Sequence, residues 1–195
     1  MIKSKDDYKM YMCMDAQALG KKNKRIVLLG KKNKRIVLLG NEIWRFERAL
    51  RHYEYHLNVT HNRILMLFWR IIYRNLSYKL GFEIPPNVFG GGLRINHFGN
   101  IVVNPEVRIG EWCDIHQGVN IGTDGKGCPI IGENVWIGPG AKIFGKIQIG
   151  DECAIGANAV VNKSFMEKGI SIAGVPARRV SDHGNLYIRK LEKTE

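Results

Sequence analysis

VRIGEWCDIHQGVNIGTDGKGCPIIGENVWIGPGAKIFGKIQIGDECAIGANAVV, residues 107–161, counts in sixes. Isoleucine or valine falls at 109, 115 and 121 and, after a four-residue insertion, at 131, 137, 143, 149, 155 and 161. Two residues ahead of each stands a second small or aliphatic residue: Val107, Cys113, Val119, Pro129, Val135, Ala141, Ile147, Cys153 and Ala159. Residues i and i−2 share one face of an extended strand, so each hexad supplies a two-residue inward face and then a turn, often at a glycine such as Gly110, Gly132 or Gly150. Such short units bury nothing alone. Stacked as the coils of a parallel β-helix they share one continuous core. The period breaks at Asn162–Gly169, resumes at Ile172 and closes in Ala173-Gly174-Val175-Pro176-Ala177-Arg178 before a charged tail.

Upstream of the coils the pattern is helical. Ser4 with Asp7 three residues later reads as a capping box that opens a helix, which Gly20 closes. Asn41 caps a second helix whose apolar stripe is Ile43, Phe46, Leu50, Tyr53 and Leu57. A third carries Ile64, Phe68, Ile71, Ile72, Leu76 and Leu80 and stops at Gly81. These stripes are expected to pack against each other and against the coils, in preference to attaching to a membrane. Ile84-Pro85-Pro86 forbids further helix. The expected organisation is therefore a helical region over 1–81, a mainly β coil domain over 82–180, and a tail over 181–195.

The net charge is +12, which suggests nucleic acid until the charge is located. KKNKRIVLLG at 21–30 recurs letter for letter at 31–40, and each copy carries four basic residues, so one copy accounts for a third of the excess. An exact decapeptide repeat without drift is a recent duplication or an artefact, and the second copy is expected to be a loop or looped-out insert. The remaining basic residues are scattered without the interleaved aromatics of a nucleic-acid platform, so an anionic small molecule is the expected partner. The amino terminus lacks an uninterrupted apolar core, and the run Ile64–Tyr73 is short and holds Arg70, so a soluble, cytoplasmic protein without membrane insertion is expected. Cysteines at 13, 113, 128 and 153 show no CxxC spacing, and Cys113 and Cys153 sit in the inward register, so they read as buried thiols.

Counting back in sixes from Ile109 gives Val103 and then His97, an imidazole in a slot held elsewhere by an aliphatic residue. Either the frame slips around Gly99 and His97 faces outward, or a histidine is held at the coil edge for a purpose. His116 follows the inward Ile115 and is expected on the surface. Zinc on His97, His116 and His183 is disfavoured because no two of them are close in sequence, so no metal is expected.

Three motifs in order, Ile95-Asn96-His97-Phe98-Gly99-Asn100-Ile101-Val102-Val103, the insertion Gly122–Pro129 and the closing AGVPAR, resemble the serine acetyltransferase family of hexapeptide acyltransferases from about Gly81 to Val180. The resemblance implies a left-handed coil, a homotrimer with sites between subunits, acetyl-CoA as donor and O-acetylation of serine within cysteine biosynthesis. It makes His97 the general base that takes the acceptor's hydroxyl proton. Glu83, aligned with a one-residue gap, matches the carboxylate that orients this base. Thr123, Pro139, Lys142, Ala157, Arg178 and Arg179 are implied contacts for the donor, the last two and Lys142 at its phosphates. Two positions depart from the family: Asn96 stands where it has an acidic residue and Cys128 where it has a second active-site histidine. Both belong to the acceptor pocket, so serine is placed in doubt and an uncharged polyol, such as a sugar of a surface polysaccharide, is the alternative. A non-catalytic trimeric scaffold is the third reading, disfavoured by a histidine beside a glycine-rich loop.

Overall fold

The computed structural model describes residues 1–20 and 41–191; both copies of the decapeptide, and so the expectation of a looped-out insert, lie outside the described residues. Helix α1 spans Lys5–Ala18, α2 Glu42–Tyr55 and α3 Arg63–Leu80, with a wider turn at His56–Thr60 between the last two. Ser4 Oγ accepts from the Asp7 N–H at 3.0 Å, and Asp7 Oδ2 reaches back to the Lys3 N–H at 2.8 Å, one residue earlier than a reciprocal box would. Asn41 occupies the cap of α2, but its side chain makes no capping bond, which corrects the expectation; Asn62 supplies that bond for α3, accepting from Leu65 N at 3.0 Å. Gly81 ends α3 at φ +76°, a left-handed conformation that a side chain would strain.

From Phe82 the chain winds into three parallel faces. The first stacks Phe82–Glu83, Ile101–Val103, Asn120–Gly122, Lys142–Phe144 and Val160–Val161. The second stacks Arg94–Ile95, Asp114–Ile115, Trp136–Ile137, Ala154–Ile155 and Ser171–Ala173, closed by the antiparallel strand Arg178–Ser181. The third stacks Arg108–Ile109, Ile130–Ile131 and Gln148–Ile149. Every inward residue of the hexads is buried, including Cys113 and Cys153, because consecutive coils pair in register: Ile115 on Ile137 on Ile155 on Ile172. The core continues into the helices through Phe46, Leu50, Leu76 and Leu80. The stripe of α3 is only half used, however. Leu76 and Leu80 pack inward, whereas Ile64, Phe68 and Ile71 stand exposed, contrary to the expected packing.

Four charged residues join the helices to the coils with no trace in the hydrophobic pattern. Arg51, fully buried, donates to Asp15 Oδ2 at 2.8 Å, Glu54 Oε2 at 2.9 Å, and the carbonyls of Phe89 and Gly90 at 3.0 and 2.6 Å. Asp15 Oδ1 accepts from the N–H groups of Gly92 and Leu93, Glu54 Oε1 from Asn87, and Glu47 Oε1 from Ile95. Pairing and hydrogen bonds offset the desolvation of buried charges, and these are bonded mainly to the run 87–95 that leads into His97. Burial works against the Arg51 charge, but the Asp15 and Glu54 carboxylates override it and hold the guanidinium above its ordinary value.

Candidate active site

His97 lies at the edge where the chain turns from the second face into the first. The inward pairs are Leu93/Ile95 and then Ile101/Val103, a step of eight residues from Ile95 to Val103, whereas Ile115 to Ile121, Ile137 to Ile143 and Ile155 to Val161 keep the plain hexad, so the frame slips here and His97 is exposed. The extra residues form a wide corner around Gly99. Directly below, Asn96 is in register with His116, and beneath that histidine Gly138, Gly156 and Ala173 put no side chain larger than a methyl on the edge. Gly138 cannot be enlarged: a Cβ there would stand 2.8 Å from both Ile155 O and the Trp136 ring.

The His97 and His116 rings are 6.0 Å apart, and His116 meets the edge of Trp136 at 5.0 Å. Sequence reading put His116 on the surface; it is half-buried, and burial pushes its imidazole below the ordinary range, with His97 and Arg94 adding and Asp114 opposing. Asp114 was also missed. Its outward slot predicts a solvated carboxylate, yet it is buried under Arg94 at 3.2 Å, Arg189 at 2.9 Å and the Asn96 amide, which donates to Asp114 Oδ1. Arg189 comes from the tail, which runs back along the second face: Asn185 donates to Asn134 O at 2.8 Å, the Arg189 N–H to Asn134 Oδ1 at 2.8 Å, and Gln17 of α1 to Lys190 O at 2.8 Å. No sequence signal joins 114 to 189.

Several of the remaining candidates share this edge. Pro139 and Ala157 sit at its lower corners, tied by the Asn158 N–H to Pro139 O at 2.9 Å. Lys142 Nζ reaches up the edge to Gly118 O at 2.6 Å, and Arg178 pairs with Ala173 near its foot. Arg179 is held by Glu167 and Asp182. Glu83 is on the first face beside Val102, in a hollow of about 370 Å³ with Tyr73, Ser77 and Asn100, and among the described residues it makes no hydrogen bond to His97. Thr123 and Cys128 lie on the next edge, between the first and third faces, so one chain does not bring them to His97. There Thr123 Oγ1 accepts from Gly125 N, and the Cys128 thiol points at Glu106, 4.0 Å away. Burial and the Glu106 carboxylate push that thiol up, which keeps it protonated and unsuited to be a nucleophile.

Residues 128–163 match the family model of the bacterial transferase hexapeptide (six repeats). The serine acetyltransferase of Synechococcus elongatus is 36% identical over 109 residues, which are 53% of this chain and 44% of that protein. That of Helicobacter pylori strain J99 is 34% identical over 126 residues, 62% of this chain and 73% of that protein. The chain thus spans less than half of one curated relative and about three quarters of another. A serine acetyltransferase solved in complex with CoA superposes with a TM-score of 0.68 at 27% identity, covering 90% of this chain and 71% of that one. Coil register, edge geometry and a relative aligned over most of its length agree: the chain belongs to the serine acetyltransferase family of hexapeptide-repeat transferases.

Proposed function

We propose that the chain transfers acetyl from acetyl-CoA to a hydroxyl, with His97 as general base. The observation that carries this reading is the position of His97, an exposed imidazole in a widened corner at the head of a small-residue track with Lys142 and Arg178 below it. The relative solved with CoA supports the donor. A ring nitrogen of His97 takes the acceptor proton as its oxygen attacks the thioester carbonyl; the tetrahedral intermediate then expels the thiolate, which recovers the proton from the imidazolium as free CoA. The track admits the pantetheine arm along Gly138, Gly156 and Ala157, and Lys142, Arg178 and Arg179 meet its phosphates. Glu83, Thr123 and Cys128 enter the same site only if a neighbouring copy brings its loop edge against this one, and a homotrimer in the cytoplasm is part of the proposal.

Serine, the substrate in the names of the relatives, is the leading acceptor. A second reading, a sugar hydroxyl, is favoured by the neutral pair Asn96 and Cys128, and by Asp114: an added carboxylate at position 96 would face an existing buried one. Free-thiol release from acetyl-CoA across a panel of serine, its homologues and neutral sugars tests both. His97→Ala should lower turnover about a hundredfold to ten-thousandfold with CoA affinity retained. Wild-type turnover by that variant on the true acceptor would refute the mechanism.

A further inference from the structure

Helix α3 is apolar on two sides. One side, with Leu76 and Leu80, is buried against α2 and the coils. The other carries Ile64, Leu67, Phe68 and Ile71, exposed by 81, 54, 53 and 52%, at the i, i+3, i+4, i+7 spacing that makes a single stripe at 3.6 residues per turn. With Arg63 they line a shallow groove of about 430 Å³. Contiguous exposed apolar surface of this kind marks an interaction face.

The charge beside the stripe says what kind. Arg63, Arg70 and Arg74 follow one another at i, i+7 and i+11, which aligns them along one flank of the stripe. All three are exposed, and among the described residues none pairs with a carboxylate; Arg74 instead lies over the Tyr78 ring at 5.3 Å. The helix itself contains no aspartate or glutamate. No helix among the described residues is long and apolar enough to cross a membrane.

We propose that this face docks in the headgroup layer of an anionic lipid bilayer, with α3 lying in the membrane plane, the stripe towards the acyl chains and the arginine line on the lipid phosphates. An apolar stripe flanked by unpaired cations is the physical signature of an in-plane helix, and both terms act at one surface. A second copy is the poorer occupant, because a two-fold contact through this face would bring one unpaired arginine line towards another with no acidic residue of α3 between them. Docking needs no unfolding, since Leu76 and Leu80 already fix the helix to the coils. The proposal is independent of acetyl transfer.

The test is co-sedimentation of the full chain with vesicles of phosphatidylcholine, with and without phosphatidylglycerol, at low and high salt. Binding is expected to the anionic vesicles alone and to fall with salt. Arg63→Gln/Arg70→Gln/Arg74→Gln should weaken it about a hundredfold, three surface charges' worth, and Leu67→Ser/Phe68→Ser should abolish it, each with unchanged circular dichroism and unchanged mass by light scattering. Absent binding, or binding indifferent to lipid charge, overturns the proposal. So does a serine variant that lowers the assembly mass while vesicle binding persists, which would assign the face to another copy.

Discussion

Replacing Arg51 by methionine keeps most of the side-chain volume and removes the charge at the centre of the buried network. Asp15 and Glu54 then lose their cation, and the carbonyls of Phe89 and Gly90 lose a donor. Breaking one partner out of a buried pair costs about 3 to 5 kcal/mol, because the charge left behind is uncompensated. At roughly 2 to 4 °C per kcal/mol for a chain of this size, the melting temperature at neutral pH should fall by about 10 °C. The loss carries a pH signature. Burial already pushes the Asp15 carboxyl up, opposed first by Arg51 and then by the N–H groups of Leu93 and Gly92; without Arg51 the strongest opposition is gone. A carboxyl raised in the folded state binds its proton before the unfolded one does, so stability is present at low pH and lost as pH rises through the raised value. The deficit of Arg51→Met should therefore be largest at neutral pH and shrink towards pH 4–5, near the ordinary carboxylate range. Adding Asp15→Asn should recover part of it. Calorimetry of the three proteins at both pH values decides the matter; an unchanged melting temperature, or a deficit equal at the two pH values, would refute the reasoning.

His52, stacked on Trp69 at 3.9 Å, is held down to about 4 by burial, with Arg48 and His56 adding. Its folded value lies below the unfolded 6.5, so the stability it contributes is complete above pH 6.5 and lost as pH falls towards 4, about 3 kcal/mol in all. His52→Gln should flatten that acid limb in denaturant titrations. Ile137→Ala, in the middle of the stacked column, should cost about 2 to 5 kcal/mol by chemical denaturation, and Cys113 and Cys153 should resist thiol labelling in the native protein and become reactive on unfolding. Deleting residues 31–40 should leave the melting temperature and CoA affinity nearly unchanged, since two identical segments do not both fit one set of contacts; a collapse of either would show that both copies are structural.

The sequence by itself determined the coil and its register. A hexad places each inward pair by strand alternation alone, so Val107 to Val161 were legible without any knowledge of their neighbours. Helix ends at Ser4 and Gly81 were legible for the same local reason, since a cap acts on residues three or four away. Tertiary structure decided what depends on separations the pattern does not encode. The frame slip that turns His97 outward is a corner two residues longer than the one beneath it, eight from Ile95 to Val103 against six from Ile115 to Ile121, a matter of how coils close. Asp114 is buried because Arg94, Asn96 and Arg189 converge on it from other coils and from the tail, and Asp15, Glu47, Arg51 and Glu54 are core because bonds across the helix–coil junction offset their desolvation. The two apolar sides of α3 look alike in sequence; only the positions of α2 and the coils determine which is covered and which faces out.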